Sequence, residues 1–449
     1  MPMAEPISFS TPDPTVRELL ATHPQLTLDV QCGLMMEGVP LSAIADEVGT
    51  PCWVMSAGTL RARAQRLSGA MMQAGLSVSS HFAVKANDHL AILKILAKAG
   101  LGADVVSAGE LLRARRAGIP ASRIVFSGVG KTEAELRLAL AEGIAQVNVE
   151  SAEELEILSA LAVECRREMT VLLRVNPDVD AGTHAKITTG VAGNKFGVPW
   201  DEALALYRHA AGLPGIRAAG YAMHIGSQIL AAAPFRAAYA RLAALVRATR
   251  EAGLAVSAVD CGGGLGICYR DEGEGSPDVW AGVIRAELGD LDVRLAIEPG
   301  RWIAAPAGVL LSTVVLRKAV TGEAPFIVLD AAMNDLLRPS LYDAWHGIVP
   351  LSPRDAVAAA ETATIVGPVC ESGDTFAQER VLPRLERGAR VAVLDTGAYG
   401  AVMSSTYNAR PLAAEVLVDG GRWSVIRPRQ SVEALWAGET IPDWIKHPA

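Results

Sequence analysis

Eight short runs rich in β-branched residues, each followed by an amphipathic stretch, limit what this chain can fold into more than any other feature. The runs lie at 78–86 (VSSHFAVKA), 103–107 (ADVVS), 123–128 (RIVFSG), 146–151 (QVNVES), 170–177 (TVLLRVNP), 216–226 (IRAAGYAMHIG), 255–262 (AVSAVDCG) and 293–299 (VRLAIEP). Between them, segments such as HLAILKILAKAG and KTEAELRLALAEG place apolar residues at helical spacing. Eight strand-then-helix units in roughly 250 residues match the count and size of a (β/α)8 barrel. A doubly wound open sheet is the competing α/β architecture, but it usually has fewer strands and a Gly-rich turn after the first.

Past residue 310 the rhythm changes. Segments 308–317, 326–332, 362–369, 390–396 and 413–427 read as strands with few helices between them, and Asp419-Gly420-Gly421 is a hairpin signal. The expected division is a flexible N-terminus (1–25), a barrel domain (56–310) and a mainly β domain made of 26–55 and 311–449. The apolar pieces at 26–36 and 51–55 are expected to join the β domain's sheet.

Composition narrows the function. A formal net charge of −8 argues against nucleic acid as a main partner. The 6 cysteines form no C-x-x-C pair, so neither a disulfide framework nor a metal site is expected. The N-terminal residues lack a signal-peptide pattern, and the longest apolar stretch, 303–316, is broken by Pro306. A cytoplasmic location without membrane contact is the resulting expectation.

Barrel sites are built where strands end, so those positions carry the chemistry. The first strand ends at Lys85, where desolvation and neighbouring positive charge are expected to lower the amine's pKa and suit it to attack an aldehyde. A lysine snorkelling from a strand end is the alternative. Asp104 lies on the second strand, Arg174 and Asn176 end the fifth, and His224 and Ser227 end the sixth. Gly262-Gly263-Gly264 follows the seventh, and Glu298, Gly300 and Arg301 follow the eighth. A triple glycine lets backbone N–H groups approach a phosphate, although a plain tight turn reads the same way. A carboxylate such as Glu298 can keep a pyridine nitrogen protonated, and an imidazole such as His224 can stack on the ring.

Taken together, AVKAN around Lys85, HIGSQ (224–228), GGGLG (262–266), EPGR (298–301), GPVCESGD (367–374) and DTGAYG (395–400) are specific motifs. From about residue 50 to 430 the chain resembles the fold-type III pyridoxal-phosphate (PLP) decarboxylases, which act on ornithine, arginine or diaminopimelate. That resemblance implies an N-terminal barrel, a C-terminal β domain and a homodimer with shared active sites. It implies that Lys85 carries pyridoxal 5'-phosphate as a Schiff base, that Glu298 pairs with the pyridine nitrogen, and that His224 stacks on the ring with Asp104 nearby. Ser227, Gly262, Gly263, Gly264 and the backbone around Gly300 and Arg301 would cradle the phosphate, with Tyr399 beside it and the substrate. Cys370 would act from the neighbouring subunit, delivering a proton after CO2 leaves.

Substrate choice turns on the far end of the amino acid. Arg301, Arg338 and Tyr342 in LRPSLYDAWH, Tyr399, and Glu371 after Cys370 offer donors for a carboxylate and an acceptor for an ammonium. With TYNARPLAAEVLV (406–418), they resemble the diaminopimelate branch of the family. The implied reaction is decarboxylation of meso-2,6-diaminopimelate to L-lysine. The same fold acting on D-ornithine, D-lysine or carboxynorspermidine, an alanine-racemase-like isomerase, and a non-enzymatic regulator are the rivals. Trp302 departs from the small residue usual in that branch, with either a reshaped pocket or packing on the C-terminal domain expected. Segment 183–197 is the expected closing loop.

Overall fold

The computed structural model describes residues 12–179 and 194–446. Eight parallel strands close into a barrel: Val78–Ala83, Gly102–Val105, Ile124–Phe126, Gln146–Val149, Met169–Arg174, Ile216–Ala222, Ala258–Asp260 and Arg294–Ile297. Six fall within the runs read from the sequence, and Gly102–Val105 and Met169–Arg174 each start one residue before theirs. Strands covered on both faces need apolar residues on both, and Met169–Arg174 is buried along its whole length. Ser107, Thr132 and Ser151 each accept a backbone N–H at the start of the next helix, which stops the strand-end loops sharply and fixes the rim.

The second unit is a nine-stranded sheet. Cys52–Ser56, which precedes the barrel, lies inside it, antiparallel to Gly308–Lys318 and parallel to Ala414–Asp419. Side chains alternate across this sheet. Cys52, Val54, Val309 and Leu311 pack on one face, while Trp53, Leu310, Val391 and Val393 pack on the other. Two strands went unread in the sequence, Ile348–Pro350 and Thr375–Pro383. The first is very short, and the second is masked by the polar run Gln378-Glu379-Arg380, whose arginine is nonetheless buried. The piece at 26–36 does not join the large sheet as expected. With Val39–Pro40 it forms its own three-stranded sheet, because its apolar Leu34 and Met36 cover one face of the large sheet rather than extend its edge.

Residues 12–25 also depart from the flexible lead-in expected of them. Thr15 and Glu18 form a capping box for helix Val16–Ala21, buried Leu19 packs with the β domain, and His23 pairs with Asp395 at 3.0 Å. Asp13 lies 3.5 Å from Arg270 of the barrel and 3.6 Å from Arg380 of the sheet, both arginines being buried, and accepts the Val381 N–H at 2.9 Å. Removing a carboxylate shared by two buried cations is costly. Asp13→Ala is expected to lower stability by about 3 kcal/mol, seen as a lower thermal midpoint; an unchanged midpoint would show that water replaces the carboxylate at no cost.

Candidate active site

The first barrel strand ends in a tight turn, Val84–Ala86, that presents Lys85 at the barrel mouth. This turn is braced from the β domain: the Tyr399 N–H donates to the Ala86 carbonyl at 2.8 Å and the Asn87 amide donates to the Gly397 carbonyl at 3.1 Å. Lys85 Nζ lies 3.4 Å from Asp104, which is fully buried and has one oxygen, Oδ1, without a hydrogen-bond partner among the described residues. The expected lowering of the lysine's pKa is overturned. Burial does push it down, but Asp104, then Tyr399 and Glu298, outweigh burial and the opposing Arg174, so the net shift is upward. A positive neighbourhood would lower that pKa, whereas the barrel places Asp104 and Glu298 around this amine.

Glu298 follows the eighth strand and is buried. Its Oε1 accepts from Ser127 Oγ at 3.4 Å and from Asn148 Nδ2 at 3.3 Å. Burial, then repulsion from Asp104 and Asp260, holds its pKa well above the usual carboxylate range. His224, half-buried, accepts the Gly263 N–H on Nδ1 at 3.2 Å. Burial first, then Lys85 and Arg174, keep this imidazole neutral.

The glycine turn owes its composition to crowding. A Cβ on Gly262 would sit 2.1 Å from the Met223 carbonyl oxygen, and one on Gly263 would sit 2.1 Å from that of Glu298. Gly262 and Gly264 also have φ of +66° and +112°. The turn therefore locks the loops after the sixth and eighth strands together. Its first two N–H groups are already engaged, Gly262 with Asp260 at 3.0 Å and Gly263 with His224, while the Gly264 N–H donates to no described residue. Of the three glycines expected to cradle a phosphate, Gly264 is the one whose N–H has no acceptor among the described residues.

A second cluster lies beyond Gly300. Arg301, buried, donates to Ser227 Oγ at 3.1 Å and to the Tyr269 hydroxyl at 2.7 Å, with its guanidinium 5.0 Å from the Tyr399 ring. Arg338, buried at the start of helix Arg338–Tyr342, stacks 4.8 Å from the Tyr269 ring and donates to His346 Nε2 at 2.7 Å. Tyr342, at the end of that helix, is near enough to act on the Arg301 charge. Among the described residues neither arginine has an acidic group within 4.0 Å. Tyr269 and His346 carried no role in the sequence reading, although both lie within or just after its motifs; neither residue type announces that it will hold an arginine.

Cys370 and Glu371 do not join these groups. Both are exposed on the β domain, where the Cys370 N–H donates to Asn408 at 3.0 Å. Trp302 is buried, donating to the Gly275 carbonyl at 3.0 Å beneath the Arg63 guanidinium, 3.9 Å away. Of the expected closing loop, 183–193 lie outside the described residues; Phe196, within the rest, stacks 4.8 Å from Arg174.

Residues 57–305 match the family model described as the pyridoxal-binding domain of pyridoxal-dependent decarboxylases. The chain is 48% identical to a diaminopimelate decarboxylase of Zymomonas mobilis, covering 92% of this chain and 98% of that one. It is 47% identical to one of Pseudomonas aeruginosa, covering 91% and 97%. The structure of a Helicobacter pylori diaminopimelate decarboxylase complexed with L-lysine superposes with a TM-score of 0.85 at 37% identity, covering 88% and 98%.

Proposed function

The chain belongs to the pyridoxal-dependent decarboxylases, and on that premise we propose that it removes CO2 from meso-2,6-diaminopimelate to release L-lysine, the last step of lysine biosynthesis. The observation that carries the substrate is the pair of buried arginines, Arg301 on the rim that holds Lys85 and Arg338 of the β domain, neither with an acidic group within 4.0 Å among the described residues. Buried cations with no counter-charge in contact are costly unless a ligand supplies one, and a second amino-acid end brings a carboxylate to that place.

The residues present fit pyridoxal phosphate. Asp104 Oδ1 is buried without a partner, the Gly264 N–H is uncommitted among the described residues, and Glu298 gains from a cationic N–H opposite it. Lys85 would anchor the cofactor, Ser227, Gly264 and the backbone at Gly300 and Arg301 would take its phosphate, and His224 would lie on the ring face. When bound, the cofactor supplies an aldehyde for amines and a protonated ring that accepts the electron pair left by CO2.

The chain's own groups do the rest. Asp104 is the nearest acceptor for the proton that Lys85 sheds before its amine can attack. Glu298 would be ionised by a pyridinium nitrogen bound beside it and would so favour that nitrogen's protonated form. Neutral His224 adds no positive charge that would compete with it. Arg301 and Arg338, with Tyr342 and Tyr399, hold the distal carboxylate and so leave the other amino-acid end to face Lys85.

Cys370 and Glu371, exposed on one protomer, are assigned to the site of its partner in a homodimer. There the thiol returns a proton to Cα and the carboxylate takes the distal ammonium. No helix among the described residues is long and apolar enough to cross a membrane, and we assign the enzyme to the cytoplasm. A substrate panel on PLP-loaded protein tests the reading. CO2 and L-lysine should arise from meso-diaminopimelate at least about 10²-fold faster than CO2 from D-ornithine, D-lysine or carboxynorspermidine. Comparable rates on any of these, or racemisation without CO2, would replace it.

A further inference from the structure

The arginine pair raises a question that the assigned reaction leaves open, namely what holds two buried guanidinium groups in place without neutralising them. We propose, on the reading above, that His346 and Tyr269 are positioning residues forming an uncharged collar that aims Arg338 and Arg301 at the substrate's distal carboxylate without locking either into a contact ion pair.

Hydrogen-bond partners fix the state of the histidine. Arg338 can only donate, so His346 Nε2 accepts at 2.7 Å; the Leu394 carbonyl can only accept, so Nδ1 donates to it at 2.7 Å. That is the neutral Nδ1–H tautomer, held at both ends and buried. Burial, and next the Arg338 charge, push the ring's pKa well below the ordinary histidine value, in agreement with that state.

Tyr269 ties the two arginines to the same collar. Its hydroxyl accepts from Arg301 at 2.7 Å, its face lies 4.8 Å from the Arg338 guanidinium, and the His346 ring meets it nearly edge-on at 5.4 Å and 79°. An aromatic face attracts a cation without cancelling its charge. Arg338 Nε remains without a hydrogen-bond partner among the described residues although buried.

A carboxylate at position 346 would hold Arg338 as firmly, but as an internal ion pair that an incoming carboxylate would have to break. The neutral collar gives orientation without that competition, which makes His346 and Tyr269 residues of specificity as well as of structure.

L-lysine and 1,5-diaminopentane, which differ by one carboxylate, separate these roles when titrated calorimetrically into PLP-loaded dimer. His346→Glu is expected to weaken L-lysine binding roughly tenfold or more. His346→Gln, which keeps an uncharged acceptor, should stay within about threefold, and neither variant should shift diaminopentane by more than about threefold. Tyr269→Phe, a gentler change, should weaken L-lysine about threefold to tenfold. In turnover, His346→Glu and Tyr269→Phe should raise KM with kcat largely kept. Visible absorbance of the bound cofactor reports whether each variant is folded and loaded. Equal losses for His346→Glu and His346→Gln, equal losses for both ligands, or a Tyr269→Phe protein that binds L-lysine like the parent would overturn the proposal. A parent protein that binds neither ligand and releases no CO2 from diaminopimelate would instead sink the assigned reaction.

Discussion

Lys85→Ala protein is expected to lose decarboxylation by on the order of 10⁴-fold or more, because the substitution removes the amine that the first strand's turn presents beside Asp104. Borohydride reduction of the parent should fix the cofactor to Lys85 and to no other lysine, as read by peptide mass. The variant also offers a test of the dimer. Mixed with an equally impaired Cys370→Ala protein under exchange conditions, it should regain up to about a quarter of parental activity, since half the dimers are hybrids and each hybrid has one intact site of two. Full turnover by Lys85→Ala would remove the lysine from the mechanism; absence of any recovery on mixing would remove the shared site.

Arg338→Ala should cost about 10²- to 10³-fold in kcat/KM for meso-diaminopimelate, within the range for truncating one partner of a buried, charge-assisted contact. Slow turnover of ligands without a distal carboxylate should change by less than about threefold, because they never make that contact. A uniform loss over the panel would mean that Arg338 supports the fold and not the substrate. Its side chain is held by His346 and Tyr269 and not by an ion pair, so its removal strands no buried carboxylate.

The barrel was legible because its strands are short, rich in β-branched and apolar residues and separated by amphipathic helices, as in Met169–Arg174, which is buried throughout. The β domain was less so. Thr375–Pro383 hides a buried Arg380 in a polar run, and its burial is supported by partners far away in sequence: Asp13, the His346 carbonyl and the Trp345 ring. Motifs likewise located Lys85, His224 and Glu298 without giving their electrostatics. The direction of the Lys85 shift depends on Asp104, Tyr399 and Glu298 converging from three separate loops and strands, a sum that the order of residues does not contain. Tyr269 and His346 were hidden for the same reason: their roles are set by what they touch across the fold.

Strand Cys52–Ser56 imposes an order on synthesis. It leaves the ribosome early, yet both of its neighbours in the sheet, Gly308–Lys318 and Ala414–Asp419, come after the entire barrel. More than half of the chain is added before this apolar segment can be paired, a non-local closure of the kind that slows folding and exposes an edge meanwhile. The barrel is, in effect, an insertion into the sheet. A single nick between the two cannot part them, and a barrel expressed alone would lack the Tyr399 and Gly397 contacts that brace the Lys85 turn.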